Sequence, residues 1–401
     1  MMANSVKLNK KHIILLVALV LFITKFLDYS RWDETLGGQI GYFIYFGIFV
    51  FAYRMRKKLN GFNNPFTFEL AVFAITPFLT YISQMLIYGG SLAYIKSYVY
   101  CFIVAIFYLF YVSKVKEEEI VKAFSVVALC IASIQIIQQL IPSIALFGLG
   151  DTTKDLEIRN GLLRYRFSAI FYTSFALFYY WNKFINKRNL FFLVLFLLFA
   201  LSDYLYLTRQ YIAGMAVALL FSVFFIKDKT SKRLALLMII LIAYLIFENS
   251  DSLLSYFIES SKKDATDENI RVFAYQFYGE KILSSPLAFL FGNGFPQEQR
   301  IWQENMSLYV ADIGIVGQVF THGIFWEIAY FTAIYKILWK YRKFVPLYIK
   351  LFALSGLVHC SMVASYGGPS TLLTWLSILY IATLNINKKK NEERICQRQK
   401  S

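Results

Sequence analysis

Long apolar runs recur along the whole chain, and they constrain its fold more than any other feature. A helix needs about 20 predominantly apolar residues to cross a bilayer core about 30 Å thick, and somewhat shorter runs are tolerated. These runs predict an all-α polytopic membrane protein with about 12 transmembrane helices, in a single integral membrane domain over residues 1–401. The predicted spans are 12–27, 39–53, 66–88, 97–113, 123–147, 167–182, 190–207, 211–226, 234–247, 312–335, 345–363 and 370–386.

The composition excludes the main alternatives to a membrane protein. Hydrophobic residues make up 58% of the chain and charged residues 16%, against roughly 45–50% and about 25% in soluble domains. A water-soluble globule cannot bury so much apolar surface, and a disordered chain does not contain it. The cysteines are not spaced for a disulfide framework or a metal site; they are Cys101, Cys130, Cys360 and Cys396.

The positive charges lie mainly on one side of the predicted spans. Segments on the side of the N-terminus carry 27 of the 41 Lys and Arg residues, and the loops on the opposite side carry 12. The positive-inside rule therefore predicts that both termini are cytoplasmic. The net charge of +16 is then explained by anchoring at anionic lipid, and nucleic acid is not an expected partner.

Two polar loops are predicted on the external side. The larger, 248–311, connects predicted helices 9 and 10, and the smaller is 148–166. Within the larger loop, apolar residues at spacings of three and four predict a helix over 270–283, with one face containing Arg271, Tyr275, Tyr278 and Ile282. The sequence Ser284-Ser285-Pro286 ends this helix, and an apolar run then leads into a Gly-Asn-Gly turn at 292–294.

Several ionisable residues near the predicted outer ends of helices are candidate functional residues. Arg209 lies in a very tight external hairpin, where the charge bias disfavours a basic residue, and Asp203 lies six residues earlier inside an apolar run. An ionisable residue at membrane depth indicates a functional role. The alternative is that Asp203 and Arg209 form a structural ion pair. Arg271 is either an anion-binding residue or an interface anchor. Arg164 and Arg166 of the shorter loop belong either to a site or to a solvated loop.

Three stretches resemble the bacterial polysaccharide polymerase and O-antigen ligase superfamily, which contains the Wzy-type polymerases. LTRQYIAGMAVALLF is similar to its Arg-containing hairpin. NIRVFAYQFYGEKILSSPLAFLFGNGFP resembles its Arg-led loop helix and Gly-x-Gly turn, and SLYVADIGIVGQVFTHGIFWEIAYF resembles its re-entry helix. Together they cover less than a quarter of the chain. Many relatives, notably ligases, have a His-Asn pair before the re-entry helix, whereas Gln303-Glu304-Asn305 stands here.

The resemblance implies a glycosyltransferase in the plasma membrane of a bacterium. Such enzymes transfer a growing glycan from a polyprenyl diphosphate carrier to a sugar hydroxyl of another lipid-linked repeat unit at the external face, with inversion and without a metal or cofactor. A chain-length regulator and a flippase are the implied partner proteins. The implied roles are diphosphate clamps for Arg209 and Arg271, weaker substrate contacts for Arg164 or Arg166, a catalytic base for Glu304 or Asp312, and sugar stacking for Tyr275, Tyr278 and Trp302.

Two other readings of the sequence remain open beside a polymerase or a ligase. Adjacent acids in the first external loop, Asp33 and Glu34, would suit another class of lipid-linked-sugar glycosyltransferase. Twelve spans with both termini inside would also suit a transporter or a polysaccharide flippase. Transporters usually have two similar halves, and the large late loop has no counterpart in the first half of this chain.

Overall fold

The computed structural model of the chain is almost entirely helical. It describes residues 8–23, 34–59, 62–89, 92–141, 157–159, 162–164, 170–206, 208–248, 271–294, 308–361 and 369–398. Within these ranges the prediction of an all-α protein is confirmed. A two-stranded antiparallel hairpin, in which Glu157 pairs with Arg164, is the exception to the helical structure.

The described residues up to 248 form helices and one two-stranded hairpin. They include a 3-10 helix, Leu92–Val104, which runs directly into the α-helix that begins at Ala105. The elements in chain order are α1 (Lys10–Ile23), α2 (Glu34–Arg54), α3 (Thr67–Tyr88), α4 (Ala105–Val112), α5 (Glu117–Leu140), β1 (Glu157–Arg159), β2 (Leu162–Arg164), α6 (Ile170–Lys187), α7 (Leu190–Leu205), α8 (Arg209–Phe225) and α9 (Lys229–Glu248).

The second part of the chain begins with two helices of the large loop. Residues 271–283 form α10, as the apolar spacing predicts. Ser285 then caps the next helix, since its Oγ accepts a hydrogen bond from the Leu287 N–H at 3.2 Å. The elements that follow are α11 (Pro286–Phe291), a 3-10 turn (Val310–Ile313), α12 (Gly314–His322), α13 (Ile324–Tyr335), a π-helical turn (Lys336–Lys340), α14 (Leu347–Cys360) and α15 (Pro369–Arg398).

Each predicted apolar run consists mainly of helical residues wherever the structure describes it, and one run differs in continuity. The run 312–335 is predicted as one helix, but it is divided into α12 and α13 at Gly323. Among the residues described, Thr67–Tyr88 and Glu117–Leu140 are long and apolar enough to cross a membrane. The shorter apolar helical segments are Gly41–Arg54, Ser97–Val112, Leu190–Leu205, Gln210–Phe225 and Leu347–Cys360.

The surface of several helices is apolar, in contrast to the surface of a soluble helix. On α7 the exposed positions recur every three or four residues and form a stripe along one face. The same arrangement is found on α9. The exposed residues of these stripes are Leu190, Val194, Leu197 and Leu201 on α7, and Leu236, Leu237, Ile240, Leu241 and Tyr244 on α9.

One end of the bundle, named here the basic end, brings together the segments that are rich in Lys and Arg. The Glu119 carboxylate at the start of α5 accepts a hydrogen bond from the Asn9 N–H at 2.7 Å. The neighbouring Glu117 carboxylate accepts hydrogen bonds from Tyr348 Oη at 2.6 Å and from Asn385 Nδ2 at 2.7 Å. The acidic first turn of α5 therefore connects α1, α14 and α15.

A buried ion pair also lies at the basic end. Lys336 Nζ lies 2.8 Å from Glu69 Oε1 and donates a hydrogen bond to Pro65 O at 2.8 Å. Asn387 Nδ2 donates to Asn63 O at 2.9 Å, so the C-terminal helix packs at the same end as the segment before α3. The described segments nearest the two chain termini thus share this end. The opposite end is named the distal end.

Candidate functional site at the distal end

The distal end contains an interrupted helix. Gly323 separates α12 from α13 and has a φ of +80°, a conformation that side-chain-bearing residues rarely adopt. A Cβ atom at Gly323 would overlap the carbonyl oxygen of Leu290 and lie 2.5 Å from the Cα atom of Phe291. The interruption is therefore the place where the end of α11 packs backbone against backbone.

The turn at residues 292–294 completes the backbone hydrogen bonding of the interrupted helix. The Asn293 N–H donates to Phe320 O at 2.6 Å, and the Gly294 N–H donates to Thr321 O at 3.1 Å. Carbonyl groups in the last turn of a helix lack partners within that helix. In an apolar environment such groups must be satisfied by other protein groups, and the Gly-Asn-Gly turn supplies the donors.

Helix α3 encloses the turn from the other side. Thr80 Oγ1 donates to Phe291 O at 2.5 Å, and Tyr88 Oη donates to Asn293 Oδ1 at 3.0 Å. Gly294 has a φ of +69°, and a Cβ atom there would overlap the hydroxyl of Tyr98, which is hydrogen-bonded to Gln84. Gly292 has a φ of +84°, and a Cβ atom there would lie 2.5 Å from the carbonyl oxygen of Thr321. Both glycines of the predicted turn therefore have positive φ angles, and neither position has room for a side chain.

Helix α10 packs on the same re-entering segment. Ala274, Tyr278 and Ile282 are buried against it. Tyr278 Oη donates to Leu308 O at 2.9 Å, and its ring centroid lies 4.8 Å from that of Phe320. Of the residues on the predicted helix face, Tyr278 and Ile282 are buried, whereas Tyr275 is 42% exposed.

A second polar cluster connects α5, α6 and α7. Asp203 is fully buried, and its carboxylate accepts hydrogen bonds from the hydroxyl of Thr173 and from Ser174 Oγ, the latter at 3.1 Å. Next to it, Ser202 Oγ donates to Gln135 Oε1 at 2.5 Å. Two hydroxyl donors from α6 therefore stabilise this acid inside an otherwise apolar bundle.

Buried polar side chains are concentrated in the distal half of the bundle. They come from α3, α5, α6, α7, α12, α13, α14, α15 and the turn at 292–294. A polar interior at one end of an apolar bundle is typical of a site for a polar ligand. These residues are Thr80, Ser83, Gln84, Gln135, Gln138, Thr173, Ser174, Ser202, Asp203, Asn293, Gln318, Thr321, His322, Glu327, His359, Ser370 and Thr371.

Two helices whose first residues lie near predicted site residues contact the C-terminal turn of α14. The ring centroids of Tyr211 and His359 are 3.9 Å apart. A Cβ atom on Gly314 would lie 2.9 Å from the carbonyl oxygen of Cys360. The start of α8 and the start of α12 therefore both contact this turn. Arg209 precedes Tyr211 by two residues, and Asp312, which is exposed, precedes Gly314 by two residues.

The hairpin that carries Arg164 is also held at the distal end. Gln139 Nε2 donates to Leu163 O at 2.6 Å, and the Leu163 N–H donates to Gln139 Oε1 at 3.1 Å. This reciprocal pair attaches β2 to the last turn of α5. Arg164, which follows Leu163, thus belongs to a strand that packs against α5 and α7 at the distal end.

Of the remaining predicted residues, Arg271 and Glu34 lie within the described ranges. Arg271 is half-buried in the first described turn of α10, seven residues before Tyr278. Glu34 begins α2, which packs against the 3-10 helix and α4, whereas α8 packs against α14. The predicted residues outside the described ranges are Asp33, Arg166, Trp302 and Glu304.

The N-terminal end of α8 coincides with a predicted site residue, Arg209. This helix begins at Arg209, so the positive end of its dipole lies beside that residue. Among the described residues there is no group of three or more His, Cys, Asp and Glu that could hold a metal ion.

Gly323, Asn293 and Glu327 are not among the predicted site residues, although Asn293 lies in the predicted turn. A glycine directly after His322 in the middle of a predicted span is a signal for an interrupted helix. Glu327, one turn later, is an acid at membrane depth in the same span. The partners of these residues lie far away in the chain, and the sequence alone does not indicate them.

Searches for related proteins do not identify a family. No protein-family model matches the chain, and no curated protein matches it.

Proposed function

We propose that this protein is a polysaccharide repeat-unit polymerase of a bacterial plasma membrane. The observation that carries the proposal is the distal end itself. There, a buried polar interior lies beneath segments that carry Arg209, Arg164, Arg271 and Asp312. An anionic, sugar-bearing substrate needs both features, because cations must neutralise its phosphates and polar groups must bind its hydroxyls.

We propose that the chain forms twelve transmembrane helices and that its basic end lies in the cytoplasm. The exposed apolar stripes on α7 and α9 support contact with lipid. The contacts that bring Asn9, Glu119 and Asn387 to one end support the alternation of helix directions that such a topology requires. The basic residues at this end suit the anionic surface of the cytoplasmic leaflet.

We also propose that the chain belongs to the superfamily that its three stretches resemble. Two of these stretches, the loop helix with its Gly-Asn-Gly turn and the re-entry helix, pack as one unit through Gly323, Asn293 and Tyr278. The third contains the start of α8, which contacts the same α14 turn as the start of α12. Separate parts of the chain with the same resemblance therefore lie at one end of the molecule, which supports a common site.

The proposed reaction transfers a glycan between two lipid-linked molecules. The bond between the donor's anomeric carbon and the diphosphate oxygen breaks, and the electron pair stays on the diphosphate. An acceptor sugar hydroxyl bonds to the anomeric carbon from the opposite face and loses its proton to a base. Arg209 and Arg271 stabilise the charge that develops on the diphosphate, since the planar guanidinium pairs with two phosphate oxygens at once.

Gel analysis of surface glycan tests this function. A strain that lacks the gene should display single repeat units outside, and complementation with the wild-type chain should restore long polymer. Complementation with Arg271→Ala should leave single units although the protein reaches the membrane. Long polymer in the deletion strain would refute the polymerase proposal.

A transporter or polysaccharide flippase is the second candidate, and the interruption at Gly323 favours it. Discontinuous helices are common at the substrate sites of secondary transporters. The same deletion strain separates the two functions. Loss of a flippase would trap repeat units on the cytoplasmic face, whereas loss of a polymerase leaves them displayed outside.

A further inference from the structure

Glu327 differs from the other buried acids of the described structure. Glu69 is paired with Lys336, Glu119 accepts the Asn9 N–H, and Asp203 accepts two hydroxyl groups. Glu327 Oε2 is buried and has no hydrogen-bond partner among the residues that the structure describes. A buried carboxylate oxygen without a hydrogen-bond partner costs stability, so its presence requires a specific reason.

The position of Glu327 in the fold indicates a functional reason for the burial of its carboxyl. It lies on α13 one turn beyond Gly323, on the distal half of that helix. Gln318 and His322, one turn apart on α12, are buried polar residues immediately before the interruption. Helix α13 also packs against α14. The buried Glu327 carboxyl therefore belongs to a helix that begins at the interruption and packs against α14.

We propose that Glu327 is the catalytic base for the acceptor sugar, an inference that rests on the proposed polymerase function. The acceptor hydroxyl donates a hydrogen bond to the Glu327 carboxylate. As the acceptor oxygen bonds to the anomeric carbon, its proton passes to that carboxylate, and the electron pair of the broken bond goes to the diphosphate. The negative charge thus moves from Glu327 to the leaving group.

This movement of charge is favourable at a buried carboxylate. An unpaired carboxylate in an apolar interior is poorly solvated, and taking up a proton removes that unfavourable charge. Asp312 is exposed, so water solvates its carboxylate and weakens it as a base in the same reaction. Glu327 therefore suits proton removal, while the arginines at the distal end suit the diphosphate.

The test uses membranes that contain the full chain and the polyprenyl diphosphate-linked repeat unit extracted from the deletion strain. Glu327→Gln keeps the shape of the side chain but cannot accept the proton. Its polymerisation rate should fall by about 10²-fold or more. Glu69→Gln, which makes the same chemical change at the basic end of a helix packed on α13, should keep most of the activity per molecule.

Glu327→Asp distinguishes chemistry from folding, because it retains a carboxylate at a shorter reach. It should keep partial activity, and the pH profile of its polymerisation rate should differ from that of the wild type. Immunoblots and thermal unfolding in detergent measure the amount and stability of each variant. Wild-type rates in well-folded Glu327→Gln, or equal rates and pH profiles for Glu327→Gln and Glu327→Asp, would overturn the role of Glu327. Wild-type membranes that form no polymer would instead refute the proposed function.

Discussion

The backbone of Gly323 packs against the backbone of Phe291 so closely that a Cβ atom on Gly323 would lie 2.5 Å from the Cα atom of Phe291. These residues are 32 positions apart in the chain. The contact joins the interruption of a long apolar segment to the end of α11. The shape of the distal end therefore depends on one glycine in the middle of an apolar run.

Gly323→Ala should destabilise the protein by roughly 2 kcal/mol or more, since it adds both strain at a positive φ and overpacking. Thermal unfolding in detergent measures the effect, and limited proteolysis of the large loop should become faster. Gly47→Ala is the matched control, because nothing lies within 4 Å of a Cβ atom at that position of α2. Equal stability of the two variants would contradict the described packing.

Lys336→Met should destabilise the protein by about 3–5 kcal/mol, because it leaves the fully buried Glu69 carboxylate without its cation. The double variant Glu69→Leu/Lys336→Met should recover much of this loss, since it removes both charges. A double-mutant cycle of unfolding midpoints in detergent gives the coupling. Additive effects of the two single changes would show that the pair does not interact.

Tyr278→Phe should cost about 1 kcal/mol, because it removes the hydrogen bond to Leu308 O but keeps the ring against Phe320. Tyr278→Ala should cost about 3–5 kcal/mol and should release α10 from the re-entering segment. Hydrogen exchange of residues 271–283 reports this release. Tyr275→Ala, on the exposed face of α10, should leave exchange unchanged, and protection lost equally in both alanine variants would contradict the docking of α10.

Arg209→Ala and Arg271→Ala should each slow polymerisation by roughly 10²–10³-fold if both stabilise the leaving diphosphate. Arg271→Lys should also be poor, because a point charge cannot replace the planar fork of the guanidinium. Polymer length on gels and the rate with extracted lipid-linked repeat unit are the measurements. Lys281→Ala, near the other end of α10, controls for loss of positive charge. Polymer of normal length in both Arg variants would remove the clamp assignment.

Cysteine labelling tests the orientation of the two ends. With the other three cysteines replaced, the exposed Cys396 of α15 should react with a membrane-impermeant maleimide only after spheroplasts are lysed. Asp312→Cys in a cysteine-free chain should react in intact spheroplasts, because residue 312 is exposed at the distal end. Labelling of Cys396 before lysis would reverse the proposed orientation.

The positions of the helices and the approximate limits of α10 were predictable from the sequence. An apolar run must satisfy its backbone hydrogen bonds internally, and a helix does this with local contacts alone. The Gly-Asn-Gly turn was predictable for a similar reason, since glycine suits positive φ angles. These features depend on residues that are close together in the chain.

The interruption at Gly323 and the environments of Tyr278 and Glu327 were decided by the tertiary structure. Tyr275 and Tyr278 have similar side chains on one short helix, yet one is exposed and the other is buried against Phe320. Apolar spacing allowed 312–335 to be one continuous helix, but the backbone of Leu290 and Phe291 occupies the space beside Gly323. Local hydrophobicity determines where helices form, whereas contacts between distant segments determine where a helix breaks and which polar groups are left without partners.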